Sequence, residues 1–131
     1  MTSETLLWRQ IHPTFVQCGR VTSQAFRPTE KDQGRLSAYD GDQIDDESAW
    51  RHYTMVLGYK SCGAMALCVA ECMAHKLPVE ADGEGYPEHV SISFAGLTNS
   101  QWERVARRLR EAAVVRGWKY QLTTSTGQGG P

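Results

Sequence analysis

The clearest hydrophobic pattern in the chain is an alternation over residues 89–94, HVSISF. The apolar side chains Val90, Ile92 and Phe94 occupy every second position, and serines stand between them. Period two is the spacing of a strand with one buried face, so this segment predicts a strand whose Ser91 and Ser93 point outwards. Leu6 to Ile11 predicts a first strand, and the continuous apolar run from Gly63 to Val69 predicts a fully buried one.

Helical spacing of apolar residues predicts two main helices. The first starts at Asp45, whose carboxylate can cap the free backbone amides, and stops at Gly58. Its apolar face is formed by Ala49, Trp50, Tyr53, Val56 and Leu57. The second runs from Asn99 to Arg116, and Thr98 with Gln101 forms a capping box before it.

The order of these elements predicts the fold class. Residues 70–77 predict a short helix ended by Pro78, although a single helix over residues 62–75 is an alternative. Strands therefore precede, separate and follow the helices. This order predicts an α+β fold, a single domain with a mixed or mostly antiparallel sheet and two main helices packed on one side. We expect residues 1–122 to form that domain and residues 123–131 to form a flexible Gly-rich tail.

Composition and charge narrow the class of protein. The 131 residues carry a net charge of -1, which does not favour bulk attraction to nucleic acid or to an anionic membrane. No apolar run is long enough for a membrane span, and the first residues lack the pattern of a signal peptide. We therefore expect a cytoplasmic protein, whose four cysteines are thiols or metal ligands rather than disulfides. The arginines of the last helix are expected to form a solvated face.

The chemistry-bearing side chains concentrate between Gly19 and Asp42. Two strand-like pieces, Arg20 to Phe26 and Leu36 to Tyr39, hold hydroxyls and arginines in a short length of chain. No histidine has a nucleophile and an acid at a spacing typical of a catalytic triad. We therefore predict ligand-binding residues without assigning catalytic ones. The candidates are Arg9, His12, Arg20, Ser23, Ser37, Tyr39 and His89.

A metal site is a weaker alternative. Cys68, Cys72 and His75 would share one face of a helix, with Cys62 or His89 as a fourth ligand. Buried cysteines more often serve as small apolar residues of a core. No cofactor other than zinc is suggested.

Four short segments carry a resemblance to a known group. They are RQIHP at residues 9–13, GRVTSQAF at 19–26, LSAYDG at 36–41 and PEHVSISF at 87–94. Together they resemble a group of small uncharacterised bacterial proteins with an R-x-I-x-P start, an SSxAF-like segment, an LS-containing strand and a late histidine before a strand. The resemblance implies only that Ser23, Phe26, Leu36, Ser37 and His89 lie at matching positions, and it brings no activity. Thr22-Ser23-Gln24 stands where that pattern has paired serines.

The order of some of these residues also resembles compact ADP-ribosyltransferase-type folds. In those folds an early strand carries an Arg or His, a later strand carries Ser or Tyr, and a helix follows. Arg9 or His12, then Ser37 or Tyr39, then the helix from Asp45 stand in that order. Glu47 and Glu88 are the candidates for the catalytic acid, and neither is placed as in the family.

Good fold signals without a specific catalytic motif favour an interaction module. We predict a small cytosolic bacterial accessory protein that acts through a protein partner, with Trp8, Trp102 and Trp118 as possible anchors. The first alternative is a ligand- or nucleotide-binding enzyme that uses the Gly19–Asp42 stretch. The second alternative is a metal-stabilised module. The Gly129-Gly130-Pro131 end has no assigned role.

Overall fold

Eight strands and three α-helices form the part of the chain, residues 1–29 and 33–122, that this computed structural model describes. In chain order they are β1 (Leu6–Gln10), β2 (Val16–Gln17), β3 (Arg20–Val21), β4 (Arg35–Asp40), α1 (Asp46–Arg51), β5 (Gly63–Cys68), α2 (Val69–Ala74), β6 (Val79–Glu80), β7 (His89–Ser93), α3 (Asn99–Arg116) and β8 (Trp118–Gln121). Short 3-10 turns occur at Pro13–Phe15 and Ser23–Phe26, and a π turn over His52–Val56 extends α1.

Six of the strands form one antiparallel sheet. Their order is β6-β7-β4-β1-β5-β8, so the first strand of the chain lies inside the sheet. β2 and β3 form a separate two-stranded hairpin. The predicted α+β class with a mostly antiparallel sheet is therefore confirmed. The predicted tail, residues 123–131, lies outside the described residues.

The strand register assigns each side chain to a face of the sheet. Leu7 pairs with Leu67, and Leu36 pairs with Ile92, which places these apolar residues on one face. α3 and α2 cover that face and complete the main core with Val105, Ala106, Leu109, Ala113 and Cys72. The opposite face carries the Trp8–Tyr39 pair.

α1 crosses this second face rather than joining α3. The ring of His52, at the end of α1, contacts Tyr39, and the ring of Trp50 contacts Tyr120 of β8. The indole of Trp8 donates to the carbonyl of Ile44 just before α1 (2.8 Å). Helices therefore lie on both faces, which corrects the prediction that the two main helices pack on one side of the sheet. The aromatic face between α1 and β7 contains the site described below.

The ends of α3 lie where its local sequence predicts. The Thr98 hydroxyl accepts from the Gln101 backbone amide, and the Gln101 side chain accepts in return from the Thr98 amide. The chain leaves the helix at Gly117, whose φ of +87° favours glycine. The predicted bounds of this helix, Asn99 to Arg116, are confirmed.

Two sequence-based expectations are wrong. The strand predicted from Arg20 to Phe26 ends at Val21, and Ser23–Phe26 forms a 3-10 turn. Adjacent side chains Ala25 and Phe26 are both fully buried there, which an alternating strand cannot achieve. The alternative of one helix over residues 62–75 also fails, because Gly63–Cys68 pairs with β1 and β8 before α2 begins.

The apolar face predicted for the first helix is correct only at its start. Ala49 is fully buried, whereas Val56 is 71% exposed. The helix widens into a π turn after Arg51, which changes the angular spacing of the residues that follow. The last apolar residues of this helix therefore point outwards, beside a cleft that is described below.

No helix within residues 1–29 and 33–122 is both long enough and apolar enough to cross a membrane.

Candidate active site

A cleft of about 470 Å³ opens on the sheet face that α1 crosses. Its floor comes from β1 and β4, and its walls come from the π turn, the segment after it and the loop before β7. Five of the lining side chains are tryptophan or tyrosine. The lining residues are Trp8, Arg9, Gln10, Ser37, Ala38, Tyr39, Tyr53, Leu57, Tyr59, Glu84, Gly85, Tyr86 and His89.

Three side chains in and behind this cleft form a connected chain of hydrogen bonds. The Ser37 hydroxyl lies 3.1 Å from Nε2 of His89. On the other side of the ring, Nδ1 of His89 lies 2.6 Å from Oδ1 of Asp82. A carboxylate only accepts hydrogen bonds, so Nδ1 carries the proton. In the neutral imidazole Nε2 is then free of hydrogen and can accept from the serine.

The register of β4 against β7 produces the first of these contacts. Tyr39 pairs with His89 and Ser37 pairs with Ser91, so Ser37 and His89 are diagonal neighbours on one face. His89 is 8% exposed, while Ser37 is exposed in the cleft. A buried base therefore stands beside an accessible hydroxyl.

The loop between β6 and β7 places Asp82 behind the histidine. The backbone amide of Gly83 donates to the carbonyl of His89 (3.2 Å). The Asp82 carboxylate also accepts from the hydroxyl of Ser91 (2.6 Å) and from the amide of Glu84 (3.2 Å). Ser91 was expected to point to solvent, and that prediction is wrong because this loop folds back over it and leaves it 5% exposed.

These contacts lower the pKa of Asp82. Burial alone would raise the pKa, but the hydrogen bonds from Ser91, His89 and the Glu84 amide outweigh burial and hold it at about 2. Asp82 is therefore a carboxylate at any pH near neutrality. Its negative charge faces Nδ1 of His89.

Arg9 fills a gap between β1 and β4. The pairing of these strands stops after Trp8 and Tyr39. Beyond that pair, Nη1 of Arg9 donates to the Ser37 carbonyl (2.9 Å), and its Nε donates to the Ala25 carbonyl (2.7 Å). The guanidinium of Arg9 thereby brings a positive charge next to Ser37.

A second polar contact lies within the aromatic wall. The hydroxyl of Tyr39 is 2.8 Å from Nδ1 of His52, and the Tyr39 ring stacks on that of Tyr86. The edge of Tyr86 in turn meets the ring of His89. Burial raises the pKa of Tyr39 above its ordinary value. Burial is also the largest of the causes that raise the pKa of Tyr86 to about 12. Both phenols are therefore neutral at physiological pH.

Four of the seven predicted ligand-binding residues line this cleft, namely Arg9, Ser37, Tyr39 and His89. The other three lie elsewhere. His12 caps the turn at Pro13–Phe15 by accepting from the Thr14 amide. Arg20 and Ser23 line a different concavity against α3. These seven residues therefore do not converge on one pocket.

Sequence reasoning missed Asp82 and Tyr86. The available signal was the composition of the loop before His89, which is rich in glycine and acidic residues. That signal does not say which acid folds back to the imidazole. Only the hydrogen bonds from Ser91 and the backbone select Asp82 over Glu84 or Glu88.

The cysteines considered as metal ligands are separated by their surroundings. Cys68 Sγ donates to the Ser3 carbonyl (3.1 Å), and Cys72 is fully buried in the main core. Burial is the largest cause that raises the pKa of the Cys72 thiol, to about 12, which disfavours the thiolate that metals bind. Among the described residues no three His, Cys, Asp or Glu side chains are grouped as metal ligands. Zinc stays a prediction for elemental analysis to check.

Comparison with known proteins finds no matching family model, no curated protein with significant similarity and no solved structure with significant similarity. The geometry of the cleft and its hydrogen bonds are therefore the basis of the function proposed below.

Proposed function

We propose that the protein is a hydrolase or acyltransferase with Ser37 as nucleophile, His89 as general base and Asp82 as the residue that orients the base. The observation that carries this proposal is the continuous contact from the Ser37 hydroxyl through both nitrogens of His89 to Asp82, at 3.1 and 2.6 Å. A serine hydroxyl needs an adjacent base to become nucleophilic, and the base needs an acceptor to fix its tautomer. Both requirements are met at the edge of an open cleft.

The reaction follows from these positions. Oγ of Ser37 attacks the carbonyl carbon of an ester or thioester while its proton moves to Nε2 of His89. The imidazolium is stabilised by the Asp82 carboxylate and then gives the proton to the leaving alcohol or thiol. Water, activated by the same nitrogen, attacks the acyl-serine and releases the acid. An acceptor alcohol in place of water would make the reaction an acyl transfer.

Charge that develops on the carbonyl oxygen also needs a partner. Arg9 is the cation beside Ser37, held there by its hydrogen bond to the Ser37 carbonyl. A positive charge near a developing oxyanion lowers the barrier most where water is partly excluded. We assign Arg9 this electrostatic role.

The cleft lining indicates the substrate class. Trp8, Tyr53, Tyr59 and Tyr86 present ring surfaces, and Leu57 adds an aliphatic one. Rings and aliphatic groups of this kind bind apolar or aromatic acyl groups. We therefore propose small aromatic or apolar esters and thioesters as substrates.

The test is reaction with a fluorophosphonate probe and with aryl acetates. Wild-type protein should be labelled at one serine and should hydrolyse the ester, and Ser37→Ala should lose both. His89→Gln should slow both by at least about 100-fold, as expected for loss of a general base. Ser23→Ala and Ser93→Ala are the matched serine controls and should react like wild type. Absence of labelling in folded wild-type protein, or equal labelling of Ser37→Ala, would contradict the proposal.

A protein partner, the leading expectation from the sequence, is the second candidate function. It is favoured by an exposed apolar run on the π turn beside the cleft, where Met55 is 67% exposed and Val56 is 71% exposed. Exposed apolar side chains of this kind mark docking surfaces. The double variant Met55→Lys with Val56→Lys should abolish any association seen by analytical ultracentrifugation or pull-down. Val115→Lys, which changes an even more exposed apolar residue on α3, should not.

A bacterial source and a cytoplasmic location are also part of the proposal. The four cysteines are all free thiols, which is consistent with a reducing compartment. The nucleotide-binding alternative predicts protection by nucleotides or NAD in a thermal-shift screen. That screen distinguishes it from the esterase activity, which requires none of these ligands.

A further inference from the structure

A second cluster of polar side chains lies away from the cleft, where β3 and the Ser23–Phe26 turn pack on α3. It borders a concavity of about 340 Å³. The lining residues are Gln17, Arg20, Val21, Thr22, Ser23, Arg107 and Arg110. Two of the residues that the sequence singled out, Arg20 and Ser23, thus meet two arginines of the last helix.

Each arginine from α3 is fixed through only one edge of its guanidinium. Nε of Arg110 donates to the Val21 carbonyl, and Nε of Arg107 donates to Glu103 (3.0 Å). The terminal Nη groups of both residues donate to no acceptor among the described residues. A guanidinium held by Nε keeps its terminal nitrogens oriented for a second, external acceptor.

The local charge is strongly positive although the chain as a whole is not. Three arginines line the concavity, Arg20, Arg107 and Arg110, and the nearby Glu103 pairs with Arg107 and with Arg27 beside it. The three lining arginines and Glu103 together carry a net charge of +2, in a chain whose net charge is -1. Glu103 is already shared by Arg27, Arg107 and the Ser23 hydroxyl. The side chain of Arg20 has no hydrogen bond or ion pair with any residue of the described ranges, and only its backbone pairs with Gln17 of β2.

We propose that this cluster, which we call the arginine site, binds a phosphate group, either free or as a phosphate monoester. Phosphate oxygens match the paired terminal nitrogens of arginine in geometry and carry the charge that the site lacks. The Thr22 hydroxyl adds a neutral hydrogen-bonding group at the same wall. No aromatic ring is among the lining residues, so base stacking, which nucleic-acid sites use, has no partner in this concavity.

The arginine site is separate from the proposed catalytic cleft. It is bounded by α3 and the β2–β3 hairpin, while the cleft lies on the sheet face that α1 crosses. Binding at the arginine site therefore does not depend on the reactivity of Ser37. The two proposals can fail independently.

The test is isothermal titration of the full chain with pyrophosphate, inorganic phosphate and phenyl phosphate. Pyrophosphate should bind with a Kd of about 1 mM or below, and affinity should fall as salt is added. Arg20→Gln with Arg107→Gln should weaken binding at least 10-fold, because two charge-assisted contacts to the phosphate oxygens are lost. Both side chains are exposed, so folding should be retained, as circular dichroism can check.

The matched control is Arg104→Gln with Arg108→Gln. These two residues are also exposed on α3, and the variant loses the same formal charge. It should bind pyrophosphate within about twofold of wild type, since neither side chain lines the concavity and solvent screens exposed charges. No binding by wild type, or an equal loss in both double variants, would overturn the proposal. Phenyl phosphate bound more tightly than inorganic phosphate would identify a monoester as the ligand source.

Discussion

Oδ1 of Asp82 lies 2.6 Å from Nδ1 of His89, seven residues further along the chain, across a loop that closes on itself. The contact joins an irregular segment to the first residue of β7. It sets the tautomer of the imidazole and, through it, the direction in which Ser37 can donate its proton. One carboxylate therefore has a structural role in the loop and an electrostatic role in the proposed chemistry.

Replacing Asp82 tests the structural role. Its pKa of about 2 in the folded protein is below the ordinary value of 3.8, so the carboxylate stabilises the fold. That contribution is complete above about pH 4 and is lost as the pH falls towards about 2. Asp82→Asn should lower the free energy of unfolding by about 1–3 kcal/mol at neutral pH and by less at pH 3.

Urea unfolding of both proteins across this pH range measures the difference. Glu80→Gln, which removes an exposed negative charge from β6, is the control and should change stability by less than about 0.5 kcal/mol. If the loss caused by Asp82→Asn is as large at pH 2 as at pH 7, the carboxylate is not the stabilising species.

Alkaline titration tests the burial of Tyr39 and Tyr86 beside the cleft. Burial raises the pKa of Tyr39 and Tyr86 above the ordinary value of 10, that of Tyr86 to about 12. The neutral phenols stabilise the fold fully below pH 10, and this contribution is lost as the pH rises through about 12. Ultraviolet absorbance should show a late phase of tyrosinate formation that coincides with loss of tertiary structure. Tyr86→Phe should reduce its amplitude.

A titration in denaturant is the control for this prediction. In the unfolded chain all phenols should ionise near their ordinary pKa, and the late phase should vanish. A late phase that survives unfolding would contradict the assignment to burial.

Substitution of Gly63 tests how closely β5 and β8 approach each other. Its φ of +155° is unfavourable for other residues, and an added Cβ would lie 2.4 Å from the Tyr120 carbonyl oxygen. Gly63→Ala should destabilise the protein by about 2 kcal/mol or more, because the strand must move away from its partner. Gly96→Ala is the matched control, since a Cβ there meets no atom within 4 Å. Equal unfolding midpoints of the two variants would contradict the close approach.

The ion pair of Arg116 with Glu71 links the end of α3 to the start of α2. Nη2 of Arg116 lies 2.6 Å from the Glu71 carboxylate, and Nη1 donates to the Ala66 carbonyl (2.8 Å). Both side chains are more than two-thirds buried. A double-mutant cycle with Arg116→Met and Glu71→Gln should give a coupling energy of about 1 kcal/mol or more.

The exposed pair Arg51–Glu47 on α1 provides the comparison. Its side chains are 57% and 50% exposed, so solvent screens their attraction. The same cycle there should give about 0.5 kcal/mol or less. Equal couplings in urea unfolding would mean that burial does not strengthen the Arg116 pair.

Local signals in the sequence were sufficient for α3. Its capping box, its apolar stripe and Gly117 are all encoded within a few residues of the helix, so its bounds could be predicted. The strand over residues 89–94 was predicted from alternation for the same reason. The burial of Ser91 could not be predicted, because it depends on a loop that returns to the sheet through Asp82.

The candidate site shows the same limit. Ser37 and His89 were singled out as polar residues of strands, but their proximity depends on the register of β4 against β7. Alternation does not encode register between strands that lie far apart in the sequence. Ser23 is a predicted ligand-binding residue because it lies in the polar stretch from Gly19 to Asp42, yet packing of Phe26 into the core turns that segment towards α3.

The central place of β1 has a consequence for how the chain folds. Trp8 pairs with Tyr39 and with Ala66, which lie 31 and 58 residues further along the chain. The middle of the sheet cannot close until both partners are available, and large loops must be ordered before any of these contacts form. During synthesis β1 therefore leaves the ribosome long before its neighbours. Refolding should take milliseconds to seconds, more slowly than that of a helical bundle of similar length.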